Sequence, residues 1–463
     1  MDHWRAGPAQ GRRESLRRCP PRTCANPGGC VMVTKNVPVE AVIFAYQVGF
    51  GDCFLLRFVY ADDSQKHILI DFGTTGLPDN IADSQMTTIA QDIATKCAGT
   101  LDVVVATHRH ADHISGFATK TNGKGSGDII RALKPKVVLQ PWTENLSLAS
   151  DATAPKALAH QSLRAHSLGL QSLQTVAESI LAQLTKNRAS FSASLAESIR
   201  FIGEDNLANK SAVNNLATMG KKAIYSYHGG PSGLAGILPG VTTLVLGPPT
   251  LKQTDTIRKQ KSRDPDEFWQ LQLRKLSADE RLLGDRDGLF PGHPSSSGGK
   301  LPMSARWLAG RLRDARGQQV LEIVRILDKQ MNNTSLILLF EAGNKKLLFP
   351  GDAQLENWQY ALSIEKNRDL LKNVDLYKVG HHGSLNATPK SLWAAFDNRG
   401  GVSKKGRLKT VMSTMPGKHG SEASKTEVPR KTLLSALKSE SELHSTDTLN
   451  RSLLFEEVHI DLR

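Results

Sequence analysis

Two features of this 463-residue chain predict an α/β fold built on sheets buried on both faces. Its strands read as near-continuous apolar runs (AVIFAYQV at 41–48, CFLLRFVY at 53–60, HILIDFG at 67–73) rather than as in–out alternations. A helical stretch at 81–95 then separates them from a further strand at 101–107, so strand and helix alternate. Length allows two to three domains of ~150 residues, or one large domain carrying insertions.

Taken in order, residues 1–36 read as a disordered basic leader, since 1–31 hold six Arg against two acids. Met32 opens a more regular stretch and is the candidate native start. Cys19, Cys24 and Cys30 in the leader match no strong zinc spacing. Cys53 and Cys97 sit among apolar neighbours, as core thiols of a reduced, cytoplasmic-type protein do. One domain is expected over 37–463. Its strands continue with VVLQPW (137–142). A mainly helical insertion follows at 145–235, where Leu170, Leu173, Ala177, Ile180 and Leu184 recur at helical spacing. The strand at 241–246 stops at Gly247-Pro248-Pro249, and 252–318 reads as a charged flexible insertion placed to gate a site. Regular β texture returns in SLILLFEAG and KKLLFPGD (335–352), a hairpin about Gly343-Asn344. VDLYKVG (374–380) and LKTVMST (408–414) complete the strands, and a helix containing Leu433, Leu434 and Leu437 begins near Pro429.

Composition narrows the function. Lys+Arg number 59 and Asp+Glu 45, a formal charge of +14. Most of it is spread thinly outside the leader, which permits a nucleic acid or other polyanionic partner without identifying one. Basic and aromatic residues do not interleave as they do in single-strand binders, which argues against a purely nucleic-acid-binding role. No apolar run approaches the ~18 residues of a membrane span, and the first thirty residues contain no apolar signal core; a cytoplasmic protein without a membrane span is expected.

Chemistry concentrates at strand ends. Thr107-His108-Arg109-His110-Ala111-Asp112-His113 places four potential ligands in six residues directly after a buried strand. Imidazoles so close together are hard to solvate or pair, and a divalent metal resolves the conflict. If the chain stays extended, His108 and His110 project to one side. Asp112 and His113 then present a second ligand set where the chain turns into a helix, a spacing suited to two metals ~3.5–4 Å apart. Phe349-Pro350-Gly351-Asp352 sets a carboxylate at another strand end, and Val379-Gly380-His381-His382-Gly383-Ser384 ends a third in paired imidazoles. One metal site explains three such clusters better than three coincidences.

With these motifs in this order, the chain resembles the metallo-β-lactamase superfamily: IDFG with Asp71, THRHADH, the glycine-preceded Asp352 and the late His381/His382. It looks closest to the soluble hydrolase domain of competence DNA-uptake proteins and its free-standing relatives. Val48-Gly49-Phe50-Gly51-Asp52, Asn332-Asn333-Thr334-Ser335 and His381-His382-Gly383-Ser384 carry that likeness over roughly residues 40–440. The resemblance implies a four-layer αββα sandwich. It implies His108 and His110 on a first metal, Asp112 and His113 on a second, and Asp352 bridging both. His381, first after its strand, is favoured to complete the second site. His382 would orient substrate or protonate the leaving group, although the two could be exchanged. Asp112 and His382 are thus the expected catalytic residues, while Asp52, Asp71, Asn332, Asn333 and Ser384 would support the ligands from behind. Many superfamily members carry a further histidine where this chain has Asn332-Asn333. An amide is a weaker zinc ligand, so the first site would be weak, partly empty or filled by Mn2+.

The expected activity is hydrolysis by a metal-bound hydroxide, with two Zn2+ and a phosphodiester substrate such as nucleic acid or nucleotides. A small ester, thioester or lactone is the alternative substrate, and a non-catalytic metal-binding module the alternative class. Deleting residues 1–31 is expected to change neither metal content nor turnover, measured by elemental analysis and a hydrolysis assay.

Overall fold

Alternate side chains of one strand here enter two different apolar clusters, which is how a sheet is buried on both faces. In β1 (Pro38–Tyr46), Ala41, Ile43 and Ala45 point one way, while Val42, Phe44 and Tyr46 point the other. The computed structural model describes residues 37–79, 81–145, 209–254, 332–384, 386–420, 427–450 and 452–463, all within one compact unit, Lys35–Arg463. The basic leader and the helical repeat at 170–184 lie outside the described residues, as does all but the start of the 252–318 insertion.

The other strands are β2 (Cys53–Tyr60), β3 (Gln65–Phe72), β4 (Val103–Val105), β5 (Val137–Pro141), β6 (Lys222–Ser226), β7 (Val241–Gly247), β8 (Ile337–Ala342), β9 (Lys345–Phe349), β10 (Leu376–Lys378), β11 (Lys409–Met412), β12 (Glu442–Ser445) and β13 (Phe455–Asp461). They form two mixed sheets, ordered β13-β1-β2-β3-β4-β5-β6 and β12-β11-β10-β9-β8-β7. Each sheet changes from antiparallel to parallel pairing partway across: β3, β4, β5 and β6 run parallel in the first, β9, β10, β11 and β12 in the second. The helices are α1 (Gln85–Lys96), the single turn α2 (Ala111–Ile114), α3 (Ser126–Ala132), α4 (Lys210–Thr218), α5 (Leu355–Ser363), α6 (Glu365–Lys372), α7 (Lys390–Ala395) and α8 (Lys431–Glu440). The α/β class is therefore as expected. So are the apolar strands, the hairpin turning at Gly343-Asn344 and the helix after Pro429.

One cluster draws on both sheets, with Phe54 facing Phe349 and Phe58 facing Phe340 at ring separations of 6.3 and 6.4 Å. A second packs Ile89, Ala90 and Ile93 of α1, Ile130 of α3 and Leu216 of α4 on the first sheet. A third packs Trp358, Leu371, Leu392 and Leu437 of α5, α6, α7 and α8 on the second. Cys53 and Cys97 are buried free thiols, as expected. Within the expected helical insertion, the described part holds α4 and then β6, so a sheet-edge strand stands where helix was expected. No helix among the described residues is long and apolar enough to cross a membrane.

Phe340 is fully buried between Phe58 and Phe349. Phe340→Ala is expected to destabilise the protein by about 3–5 kcal/mol in denaturant unfolding. Val402→Ala, at a position 88 % exposed, should stay within about 0.5 kcal/mol of wild type.

Candidate metal centre

Five strands of the two sheets point their carboxyl ends at one place. Asp71 lies at the end of β3 and His108 to His113 follow β4; Asp352 follows β9, His381 and His382 follow β10, and Ser413 follows β11. Backbone hydrogen bonds join these ends: Leu336 N donates to Thr107 O (2.9 Å), Asp52 N to Asp112 O (2.9 Å) and Gly73 N to Asp52 O (3.0 Å). Two glycines let the segments approach. A Cβ on Gly73 would lie 2.4 Å from the α2 backbone at His113 N. One on Gly351, whose φ is +56°, would lie 2.6 Å from Thr107 Cβ. Asp71, His381 and His382 also have positive φ (56°, 45° and 52°), a conformation that non-glycine residues adopt at a cost and that clusters at functional sites.

The buried side chains meet closely. His113 Nε2 is 3.0 Å from Asp352 Oδ2 and 3.6 Å from Asp112 Oδ2, and His382 Nε2 is 2.8 Å from Asp112 Oδ2. His108 Nε2 and His110 Nδ1 stand 2.9 Å apart. Ligand-type atoms of Asp112, His113, Asp352 and His382 lie within 4.8 Å of one another and could hold a metal ion; so do those of His108, His110 and Asp112, and of Asp52, Asp71 and His113. The far nitrogens of two imidazoles are fixed by acceptors. His113 Nδ1 contacts Asp71 Oδ2 at 2.8 Å, and His382 Nδ1 contacts Ser413 O at 3.0 Å. Each contact leaves Nε2 as the nitrogen facing the cluster. Asp71 is itself held by Thr107, which donates its N–H to Oδ1 and its hydroxyl to Oδ2, both at 2.7 Å. These donors fit a metal: imidazoles oriented from behind, carboxylates within ligand reach, and Asp112 Oδ1 buried with no hydrogen-bond partner among the described residues.

Charge makes the same point. Asp52, Asp71, Asp112 and Asp352 are at most 4 % exposed, and among the described residues the one lysine beside them is Lys378, 2 % exposed. Burial alone would discharge His113, but Asp352, Asp112 and Asp71 hold its imidazole protonated well above the usual histidine range. Burial likewise opposes charge on His382, and the Asp112 hydrogen bond overcomes it, raising its pKa. Burial disfavours the Asp112 and Asp352 anions too, yet His113 leads the neighbours that hold both below the ordinary carboxylate range. His108 and His110, crowded by burial and by other imidazoles, are pushed down, His110 to about 4. The protein thus gathers protons where it lacks positive charge.

The expected residues fall into place unevenly. His108, His110, Asp112, His113 and Asp352 converge, with Asp71 and Asp52 behind them. The late histidines exchange places relative to the favoured expectation. His382, its ring 4.3 Å from that of Phe50, joins the four-residue group; His381 Nε2 stays 4.0 Å from Asp352 Oδ2 with its side chain 21 % exposed. Being first after the strand did not decide which ring points inward; the left-handed turn and the Ser413 carbonyl did. His381 instead donates its backbone N–H to Asp352 Oδ1 (3.0 Å). Asn333 turns to α5, donating to Glu356 Oε2 (2.9 Å). Asn332 is fully buried with both side-chain polar atoms unpartnered among the described residues, and it belongs to none of the three groups. Ser384 closes the turn through its N–H to His381 O (2.9 Å). His228 packs on Tyr360 and contacts Asn367.

Sequence reading missed Lys378, Thr107 and Ser413. Lys378 had a signal, a lysine closing an otherwise apolar strand, whereas Ser413 acts through a backbone carbonyl that no residue type announces. No family model matches the chain, and no curated protein is significantly similar to it.

Because His113 and His382 hold protons above their ordinary range, a metal must displace them. Zn2+ affinity is therefore expected to fall as pH drops from 8 to 6, roughly tenfold per unit for each proton displaced. Chelator-competition titrations at three pH values check this; a flat profile contradicts it.

Proposed function

We propose that the chain is a metal-dependent hydrolase of the metallo-β-lactamase superfamily, with the two sheets and their flanking helices as a four-layer αββα sandwich. Its substrates are phosphodiesters, nucleic acid or nucleotides. The observation that carries this reading is the convergence of His108, His110, Asp112, His113, Asp352 and His382 at the meeting carboxyl ends of both sheets. A pair of divalent ions bound there, Zn2+ or Mn2+, would supply Lewis acidity and a nucleophile drawn from water at neutral pH.

The chain's own residues do the rest. His108, His110 and Asp112 would form one ligand group; Asp112, His113, Asp352 and His382 the other. Asp71 keeps His113 in the tautomer that presents Nε2, and Ser413 does the same for His382. His381, at the rim with Nδ1 unpartnered among the described residues, has its pKa lowered by burial. A neutral imidazole there offers an N–H to a substrate oxygen, so His381 takes the substrate-orienting role. Phosphodiesters are favoured by the motif likeness and by the basic balance of the chain, which draws polyanions.

One observation favours a second reading, a metal-binding module without turnover: the first group has three ligands, and Asn332 does not extend it. Metal analysis followed by incubation with single-stranded DNA, RNA and bis-p-nitrophenyl phosphate separates the two. Metal-dependent hydrolysis that drops at least ~100-fold in His110→Ala and Asp352→Ala, with metal lost from both, is the expected result. Tight metal occupancy with no turnover would favour the module. Hydrolysis restricted to small carboxylic esters would move the substrate to the ester class.

A further inference from the structure

We infer that Lys378 is a positioning residue of this centre: its buried ammonium holds Asp52 and Asp352 so that His113, His382 and Asp352 face the metal position. The inference rests on reading the cluster as a metal centre. Lys378 is the last residue of β10, and its ammonium faces two carboxylates and a backbone carbonyl. It pairs directly with Asp52 Oδ2, lies 3.3 Å from Gly351 O and 3.6 Å from Asp352 Oδ1, and has the Phe54 ring centre 5.7 Å away. An ammonium taken out of water is tolerated only in such a built pocket.

Its partners lie directly behind the ligands. Asp52 stands on the Nδ1 side of both ligand imidazoles, 3.6 Å from His382 and 3.8 Å from His113. Asp352 divides its two oxygens: Oδ1 is taken by the His381 N–H and Lys378, which leaves Oδ2 toward His113 Nε2. One lysine therefore reaches three of the four residues in the second ligand group, two of them through Asp52. It also supplies a positive charge that no metal has to provide, so the cluster demands three further charges rather than four. Burial pushes the Asp52 carboxyl up from its ordinary value, and Lys378 leads the neighbours that oppose the push.

Two variants of the full-length protein test this: Lys378→Met, of similar length without charge, and the double variant Lys378→Met/Asp52→Asn, which removes both members of the buried pair. The readouts are the melting temperature of metal-free protein and Zn2+ affinity by chelator competition. Lys378→Met is expected to melt lower and to bind Zn2+ at least tenfold more weakly, because Asp52 loses its partner. The double variant should regain most of the melting temperature while its Zn2+ affinity stays at least tenfold weaker, since Asp352 Oδ1 then keeps only the His381 N–H and no charged pair stands behind the two imidazoles. A folded Lys378→Met protein with wild-type Zn2+ affinity overturns the inference. So does a double variant in which both readouts recover, because the lysine would then only neutralise Asp52. Wild-type protein that binds neither Zn2+ nor Mn2+ overturns the metal centre itself and this role with it, a failure visible before any variant is made.

Discussion

Four carboxylates buried at one rim must be matched by positive charge, and much of this structure answers that demand. In a low-dielectric interior, like charges at such spacing are costly unless each is hydrogen-bonded or paired. Asp71 is satisfied by Thr107 and His113, Asp52 is paired with Lys378, and Asp112 and Asp352 take imidazoles as their nearest partners. The imidazoles respond in opposite ways. His113 and His382 gain protons from their carboxylate neighbours in spite of burial, whereas burial, reinforced by neighbouring imidazoles, strips His108 of its proton. Such a cluster could exchange its protons for a multivalent cation.

The fold delivers this cluster through the parallel halves of its sheets. Parallel strands send their carboxyl ends the same way, so β3 and β4 of one sheet and β9, β10 and β11 of the other release their chains at a common edge. The core between the sheets, anchored by rings such as Phe54 and Phe349, keeps the two edges in register. Gly73 and Gly351 then remove the side chains that would keep the segments apart. The left-handed residues at 71, 381 and 382 are tolerated because their surroundings, the Thr107 hydrogen bonds and the Ser413 carbonyl among them, determine them several times over.

Most strands legible in the sequence were those buried on both faces; the edge strand β7 was read from its apolar Leu244-Val245-Leu246 run. β2 is an apolar run interrupted only at Arg57, and the structure places it where the run lies. The three strands that went unread, β6, β12 and β13, are all sheet edges. In β13 only Val458 and Ile460 are fully buried, between polar neighbours, so its apolar signal is halved. Position at an edge is a property of the assembled sheet, and a local window cannot contain it.

The same division runs through the site. His108, His110, Asp112 and His113 declared themselves because ligand types at short spacing are improbable without a shared partner, and that improbability is written in the chain itself. Which late histidine turns inward, that Asn333 turns to Glu356, and that Lys378 lies beside two carboxylates were settled only by tertiary contacts. The reason is geometric: residue type and order determine what a segment can offer, whereas the direction a side chain takes depends on atoms tens to hundreds of residues away, as Ser413 and Asp112 direct His382.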